Sequence, residues 1–425
     1  MQNAIAAARA ALRVFMLACA VLGLQALALA EESSSDSSDL EETHIQEYPP
    51  DPPWPTWTVA DDPLKQPVSD PAGYYHLVRP PYGFAPGEEG QEYERVVGNE
   101  ADLFFDQATC PPPIDILLRP DGMAPAGIFG DHTLNTGGRV LLSHRFNNAA
   151  YDGLLTGTHS VSPASVLSQF PITPTRETAQ THYFLFEYGP TDDFTFQFIL
   201  PIVLRKIQYL DRSGDHLVTD ITDLYDLQFN TMYVLRRWDR QQIHLNLGLS
   251  APLGVFDELG QVPTPTSPEL TYPMRTSSGT WDFLPGLTYR GQSDDWTWGA
   301  QALGTVRLGI NRYGYRLGDE ANLNGWIARK LTDSVSTSLR LQGQIWGNIL
   351  GADKRLNPDL VPTNRTNLQA GQRLNLMFGL NYVIPRGLFQ GQRLGIEGGI
   401  PVYQNLSGPQ LQQGYQLWTN LSITY

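Results

Sequence analysis

From Arg139 to the end, apolar and polar side chains alternate with a period of two. In FTFQFIL, Phe194, Phe196 and Phe198 fall on one face, whereas Thr195 and Gln197 fall on the other. Because successive side chains of a β-strand point to opposite faces, this alternation predicts strands with one apolar and one polar face. Turn residues separate the predicted strands, which cover 139–147, 180–188, 194–205, 224–237, 241–250, 279–290, 296–309, 320–330, 334–347, 372–383, 392–401 and 414–425.

The connectors between these strands differ in length on alternate sides. Connectors such as GPTDD and QSDD are short, whereas 148–179, 206–223, 251–278, 348–371 and 402–413 are longer. Short periplasmic turns, long outer loops and an even strand count are typical of bacterial outer-membrane barrels. The fold class that we predict is therefore all-β, a 12-stranded antiparallel transmembrane β-barrel over 139–425. A soluble β-sandwich or propeller also alternates in this way and is the alternative fold.

Aromatic residues recur near the predicted strand ends, at the level where rings favour a membrane–water interface. On the short-turn side these are Tyr188, Phe194, Tyr289, Trp296, Trp298, Tyr382 and Tyr425; on the other side they are Tyr225, Trp281 and Tyr415. The last strand ends on Tyr425, so we predict that it pairs with 139–147 and closes the barrel. A terminal aromatic residue is also a signal for barrel-assembly machinery. The predicted partners are therefore that machinery, outer-membrane lipid and a small-molecule solute.

The residues before the barrel form two further regions. Residues 1–30 are predicted to be a signal peptide, with a basic start, an apolar stretch and the cleavage site Ala28-Leu29-Ala30. A lipoprotein attached through Cys19 is the alternative, although this cysteine lies inside the apolar stretch. Residues 31–138 are predicted to be periplasmic, first acidic and mostly disordered, then Pro-rich. Within them, 111–132 could fold back as a partial plug, and a flexible linker is the alternative.

Charge and motifs restrict the classes of function. The net charge is −15 and basic residues do not cluster, which argues against a nucleic-acid partner. None of the motifs H-E-x-x-H, C-x-x-C, G-x-S-x-G or the P-loop is present, so we predict no enzyme activity, no cofactor and no metal. The adjacent pair Ser143-His144 could suggest a phospholipase, but neighbours in a strand lie on opposite faces. Asp131 and His132 could bind a metal, although a surface polar pair is the default expectation.

The polar faces of the predicted strands indicate the lining of the barrel lumen. Four inward arginines stand against three inward acids, which predicts weak anion preference or near neutrality. Arg340 and Glu397 lie near the middle of their strands and are predicted to meet across the lumen. An open water path and a filled interior both fit a barrel of this size. The predicted lumen-lining residues are Gln197, Asp226, Asn230, His244, Asn246, Asp282, Arg307, Asn324, Arg340, Gln342, Arg373 and Glu397.

Several stretches carry a family resemblance. YGPTDDFTFQFILPIVLRK (188–206), the run at 277–309 and the run at 315–353 resemble the proteobacterial outer-membrane family named for the meta-pathway of phenol degradation, as do LNPDLVPT and 391–411. The resemblance covers roughly 126–425 and implies a transporter-like barrel that passes or binds small, often hydrophobic or aromatic molecules. Family members carry methionines around a G-D-H motif, whereas here Gly130-Asp131-His132 stands almost without them. We therefore predict passive or facilitated uptake of small molecules, with a structural or display barrel as the alternative.

Overall fold

The structure is a computed structural model that describes residues 119–134, 137–254, 269–387 and 389–425. The chain divides into two compact units, 1–108 and 109–425, and all of the described residues belong to the second. The predicted signal peptide and acidic segment lie outside the described residues. No helix within the described ranges is both long enough and apolar enough to cross a membrane.

The described residues are mostly β-strands. Alternating side chains and turn residues form them where the sequence predicts strands, although several are longer than predicted. They are β1 (Arg139–Gly157), β2 (His159–Val161), β3 (Ile172–Thr191), β4 (Phe194–Asp211), β5 (His216–Leu224), β6 (Leu227–Trp238), β7 (Gln241–Ala251), β8 (Trp281–Gln292), β9 (Trp296–Leu308), β10 (Tyr315–Arg316), β11 (Glu320–Lys330), β12 (Val335–Trp346), β13 (Leu350–Gly351), β14 (Gly371–Val383) and β15 (Arg393–Thr424).

Eleven of these strands form a closed antiparallel ring. Each pairs with the next in the order β1, β3, β4, β6, β7, β8, β9, β11, β12, β14 and β15, and β15 returns to pair with β1. At the junction, Tyr425 N donates to Val140 O at 2.8 Å, and Val140 N donates to Tyr425 O at 3.1 Å. The predicted pairing of the last strand with the first is confirmed, and closure leaves the ring without an exposed edge.

The final strand is the longest and explains the difference from the predicted count of twelve. β15 covers 32 residues and contains the predicted strands 392–401 and 414–425 as two halves that run in opposite directions, since Gln404 and Gln413 are hydrogen-bonded to each other at 2.9 and 3.0 Å. Its first part pairs with β14, from Arg393 opposite Val383 to Leu406 opposite Gly371. From Leu406 onward it pairs with β1. Residues 402–413, predicted to be a loop, contain this reversal and are otherwise extended, because both neighbouring strands continue the hydrogen-bond ladder to that level.

Other predicted loops also contain strand. β1, β3 and β4 extend past their predicted ends into 148–179 and 206–211, and two strands lie outside the ring: β2 pairs with β1, and β5 pairs with β4. β10 and β13 form a separate two-stranded sheet. A short helix, α1 (Pro163–Leu167), begins after Ser162, whose side chain accepts a hydrogen bond from Ser165 N. Short 3-10 helices occupy Tyr272–Met274, Pro362–Asn364 and Thr366–Leu368.

The ring is apolar outside and polar inside. Outward side chains such as Phe378 and Ile400 are 64% and 58% exposed, whereas the inward Arg340 and Asn375 are fully buried. A water-soluble protein places these residue types the other way round. In lipid, a closed barrel pairs every backbone group of its strands and presents apolar side chains to the acyl chains. The exterior is therefore that of a membrane-spanning barrel.

Candidate functional site inside the barrel

Residues 119–134 lie inside the ring, and we call them the plug segment. Almost all of them are buried, including Ile128 and Leu134. Leu134 N donates to Thr195 Oγ1 of β4 at 2.8 Å, which fixes the end of the segment near the turn between β3 and β4. Inward side chains from β1, β7, β8, β9, β12 and β15 also contact it, so it is held from most sides of the barrel.

The carbonyl group of Gly130 is a centre of these contacts. It accepts hydrogen bonds from Asn246 Nδ2 at 2.8 Å and from Gln301 Nε2 at 3.3 Å, and it lies 3.0 Å from His244 Nε2. The residue has a φ of +61°, a conformation that glycine adopts readily. A Cβ atom here would lie 2.7 Å from Asn246 Nδ2. Glycine at this position therefore allows the backbone to approach the barrel wall.

Arginines of the wall hold the plug segment through its backbone carbonyls. Arg393 donates to Pro120 O at 2.6 Å and to Arg119 O at 2.7 Å. Arg145 donates to Ala126 O and Ile128 O, and Arg290 donates to Gly122 O. Hydrogen bonds from charged donors are stronger than those between neutral groups. Because the accepting groups are backbone atoms, little of this binding depends on the side chains of the segment.

Arg340 and Glu397 form an ion pair that also holds the plug segment. Two hydrogen bonds, of 2.8 and 2.9 Å, join the guanidinium to the carboxylate, and both side chains are 0% exposed. Glu397 Oε2 accepts from Gly127 N at 2.9 Å, and Arg340 donates to Gly127 O at 3.3 Å. The pair therefore connects β12, β15 and both backbone groups of one plug residue.

Asp131 and His132 are buried, each 1% exposed, so the expectation of a surface pair is wrong. Asp131 Oδ1 lies 2.9 Å from His132 Nδ1, and Glu187 Oε2 lies 3.3 Å from His132 Nε2. A ring between two carboxylates is best satisfied when both nitrogens carry protons. The second oxygen of Asp131 accepts from Ala124 N at 2.8 Å and lies 3.5 Å from Arg290. Within the described ranges, no group of three or more His, Cys, Asp or Glu residues could hold a metal ion.

Trp326 packs under the plug segment in a space that Gly299 provides. The buried indole of Trp326 contacts Ala124 and Ile128. A Cβ atom on Gly299 would lie 2.2 Å from Trp326 Cζ2, which is far inside van der Waals contact. The absence of a side chain at Gly299 therefore allows the tryptophan to lie flat against β9.

Gly299→Ala is expected to destabilise the barrel by about 1–3 kcal/mol, because the indole must leave a well-packed position. The measurement is the free energy of unfolding in detergent micelles. The matched control is Gly325→Ala, since a Cβ atom on Gly325 meets nothing within 4 Å. Equal stabilities for the two variants would show that the close contact between Gly299 and Trp326 is not significant.

On one side of the plug segment, the barrel contains a partly open cavity of about 320 Å³. Its wall contains nine side-chain amides and a smaller number of apolar groups, and three plug residues contribute to it. The lining residues are Gly127, Phe129, Gly130, Tyr183, Gln197, Ile199, Gln228, Asn230, Asn246, Leu284, Pro285, Gln301, Leu303, Gly304, Thr305, Glu320, Asn322, Asn324, Gln342, Gln344 and Trp418.

The predicted lumen residues fall into three groups. His244, Arg340 and Glu397 contact the plug segment, and Asn246 contacts both the plug segment and the cavity. The other predicted residues in the cavity wall are Gln197, Asn230, Asn324 and Gln342.

The third group lies apart from the plug segment. Arg307 binds Asp282 at 2.6 Å, and Asp226 accepts from Ser278 N and Oγ at 2.9 Å. Asp226 lies in the connector before β6, not in a strand as predicted. Arg373 donates to Gln413, and its guanidinium lies 5.3 Å from the centre of the Trp346 ring.

The predicted inward set did not include Arg145, Glu187 and Arg290, which contact the plug segment, or Glu320 of the cavity wall. Each lies in or beside a predicted strand, and counting every second residue from Ser143 or Tyr183 would have identified Arg145 and Glu187. Ser143 and His144 lie on opposite faces of β1, as expected of neighbours in a strand. Ser143 is buried, and His144 Nε2 lies 3.1 Å from His182 Nδ1.

No family model matches the chain, and no curated protein matches it. Similar solved structures include an outer-membrane channel from Pseudomonas putida F1, with 12% identity, a TM-score of 0.48, and coverage of 70% of this chain and 99% of that chain. A Pseudomonas aeruginosa FadL homologue has 10% identity, a TM-score of 0.37, and coverage of 73% and 98%. The β domain of the Bordetella autotransporter BrkA has 10% identity, a TM-score of 0.35, and coverage of 68% and 100%.

The strand ring itself indicates the cellular location of the protein. It is closed, antiparallel and apolar outside, with short turns on one rim and long connectors on the other. Among membrane-spanning structures, this arrangement is the one found in bacterial outer membranes. The chain is an outer-membrane β-barrel. Membership of the phenol meta-pathway family remains a prediction.

Proposed function

We propose that this barrel allows passive or facilitated uptake of small molecules across the outer membrane, and that the plug segment closes the route. The observation that supports the proposal is the 320 Å³ cavity between the barrel wall and the plug segment. A barrel whose inward side chains served only to fill its interior would have no reason to retain a space of this size. The volume lies within the range of about 300–1,000 Å³ that small-molecule sites usually have.

The position of the plug segment gives the route a direction. The segment begins where Arg393 binds Arg119 O and ends beside Thr195, and both of these wall residues lie next to short turns. Short turns of outer-membrane barrels face the periplasm. A solute would therefore enter from the long-loop side, occupy the cavity and pass only when the plug segment moves. Twelve membrane crossings fit this proposal, since β15 pairs with β14 through its first part and with β1 through its second.

A structural or display barrel is the second candidate. The ion pairs Arg340–Glu397 and Arg307–Asp282 are buried inside the lumen, and such groups can fill an interior and stiffen it. A display barrel and a transport barrel share every feature of the exterior. They differ in whether solutes cross.

Liposome swelling distinguishes these two functions. The purified full chain, reconstituted into liposomes, is expected to admit small solutes from a panel that contains phenol, glycerol and maltose. Heat-modifiable migration on a gel confirms that the reconstituted barrel is folded, and protein-free liposomes are the control. If folded barrel produces no swelling with any solute and no uptake of labelled solute, the display function is correct.

A further inference from the structure

The cavity wall is almost neutral. Nine of its side chains are amides, and Glu320 is the one carboxylate among the described lining residues. That carboxylate lies 2.6 Å from Arg307, which also binds Asp282, so one guanidinium is shared between two acids. No lysine or arginine occurs among the lining residues that the structure describes. An anion that entered the cavity would lose hydration without gaining an opposite charge.

The amides retain hydrogen-bonding capacity. Each side-chain amide has two N–H donors and a carbonyl oxygen with two lone pairs. The wall uses part of this capacity for bonds between neighbours: Asn230 donates to Gln197 at 3.3 Å, and Gln344 donates to Asn322 at 3.2 Å. The cavity therefore presents donors and acceptors side by side, as a hydroxyl group requires, since it both donates and accepts.

Three aromatic rings form another part of the wall. Tyr183 and Trp418 are stacked, with centroids 5.7 Å apart and planes 24° apart. Phe129 of the plug segment lies 5.0 Å from Tyr183 and 5.8 Å from Trp418. The cluster thus joins the plug segment to the barrel wall beside the cavity. Such rings give flat apolar surfaces on which the C–H face of a pyranose can pack.

We infer that the preferred solute is a neutral, hydroxyl-rich molecule, a sugar or related polyol. Its hydroxyls match the mixed donors and acceptors of the amides, and its C–H faces match the aromatic cluster. A purely apolar solute would leave buried amides without partners, and sites built for hydroxyls reject such analogues strongly. This inference rests on the proposed function and narrows its substrate class, because it favours polar over hydrophobic or aromatic molecules.

Calorimetric titration of the purified full chain with maltose, and separately with phenol, tests the inference. Maltose is expected to bind more tightly than phenol. Gln344→Leu is expected to weaken maltose binding about tenfold by removing hydrogen bonds at the cavity wall. Ile345→Leu is the matched control, because Ile345 is the next residue of β12 and faces outward. Asn322→Leu, which removes the hydrogen-bond partner of Gln344, provides a second variant if Gln344→Leu fails to fold.

The outcomes separate the inference from the proposed function. Three results would overturn the inference. Phenol could bind more tightly than maltose, or maltose could give no heat up to its solubility limit. The third is unchanged maltose affinity in folded Gln344→Leu and Asn322→Leu. Swelling with phenol but not with maltose would overturn it and still support uptake. Maltose binding that depends on Gln344, without swelling for any solute, would support the inference and count against transport.

Discussion

Deletion of residues 119–134 is expected to convert a closed barrel into a conducting one. In planar bilayers, the wild-type chain should show few current steps, whereas the deletion variant should show stable open-channel steps. The physical reason is that hydrogen bonds and ion pairs hold the plug segment against the wall, while ring closure between β1 and β15 does not involve it. The wall charges that it now covers would become hydrated in the open lumen, so the barrel itself should still fold.

The matched control is deletion of residues 163–167, the short helix α1 on the long-loop side. Heat-modifiable migration and resistance to proteolysis establish folding for both variants. A folded plug-deletion variant that conducts no better than the wild type would show that other groups block the lumen. The reversal potential of the open variant in a salt gradient then tests the predicted weak anion preference, which fixed lumen charges determine over short range.

Arg340→Met is expected to destabilise the barrel by about 3–5 kcal/mol, because it leaves the buried carboxylate of Glu397 without its ion-pair partner. The measurement is the free energy of unfolding by urea in detergent micelles. The plug segment should also become more accessible to protease, since Glu397 and Arg340 bind both backbone groups of Gly127.

The double variant Arg340→Met/Glu397→Gln is the control for this ion pair. It removes both charges, and the new amide can still accept a hydrogen bond from Gly127 N. Most of the lost stability should therefore return, because the penalty comes mainly from the unpaired charge and not from the missing attraction. If the double variant is as unstable as Arg340→Met, packing around Arg340 is responsible instead.

The sequence predicted the barrel well because the physics of its wall is local and periodic. Side chains of each strand alternate between lipid and lumen, so the alternation alone indicates that Phe378 faces lipid and Arg340 faces the lumen. Strand ends were less predictable, as in β1 and β3, which continue outward as paired strands where the sequence suggested loops. In these extensions and that of β4, apolar side chains such as Ile207 and Tyr209 pack against the long connectors, and Gly153 and Pro174 interrupt the alternation.

The candidate site was less accessible to sequence reasoning than the wall. The plug segment has no periodic pattern, because many of the bonds that hold it run from wall arginines and amides to its backbone carbonyls. The alternation identifies Arg340 and Glu397 as inward, but it does not show that both side chains bind the backbone of Gly127. It also missed Arg290, whose partners Gly122 and Asp131 lie in the plug segment.

The pairing of β1 with β15 also affects the chain before the barrel has formed. Val140 bonds to Tyr425, so the first strand of the ring cannot obtain its second neighbour until β15 has been synthesised and delivered. Contacts between residues so distant in sequence form slowly. Throughout that interval β1 exposes unpaired backbone groups beside apolar side chains, a combination that favours aggregation. The chain therefore crosses the periplasm as a polypeptide that needs protection, and its stability in the membrane begins only with the last strand.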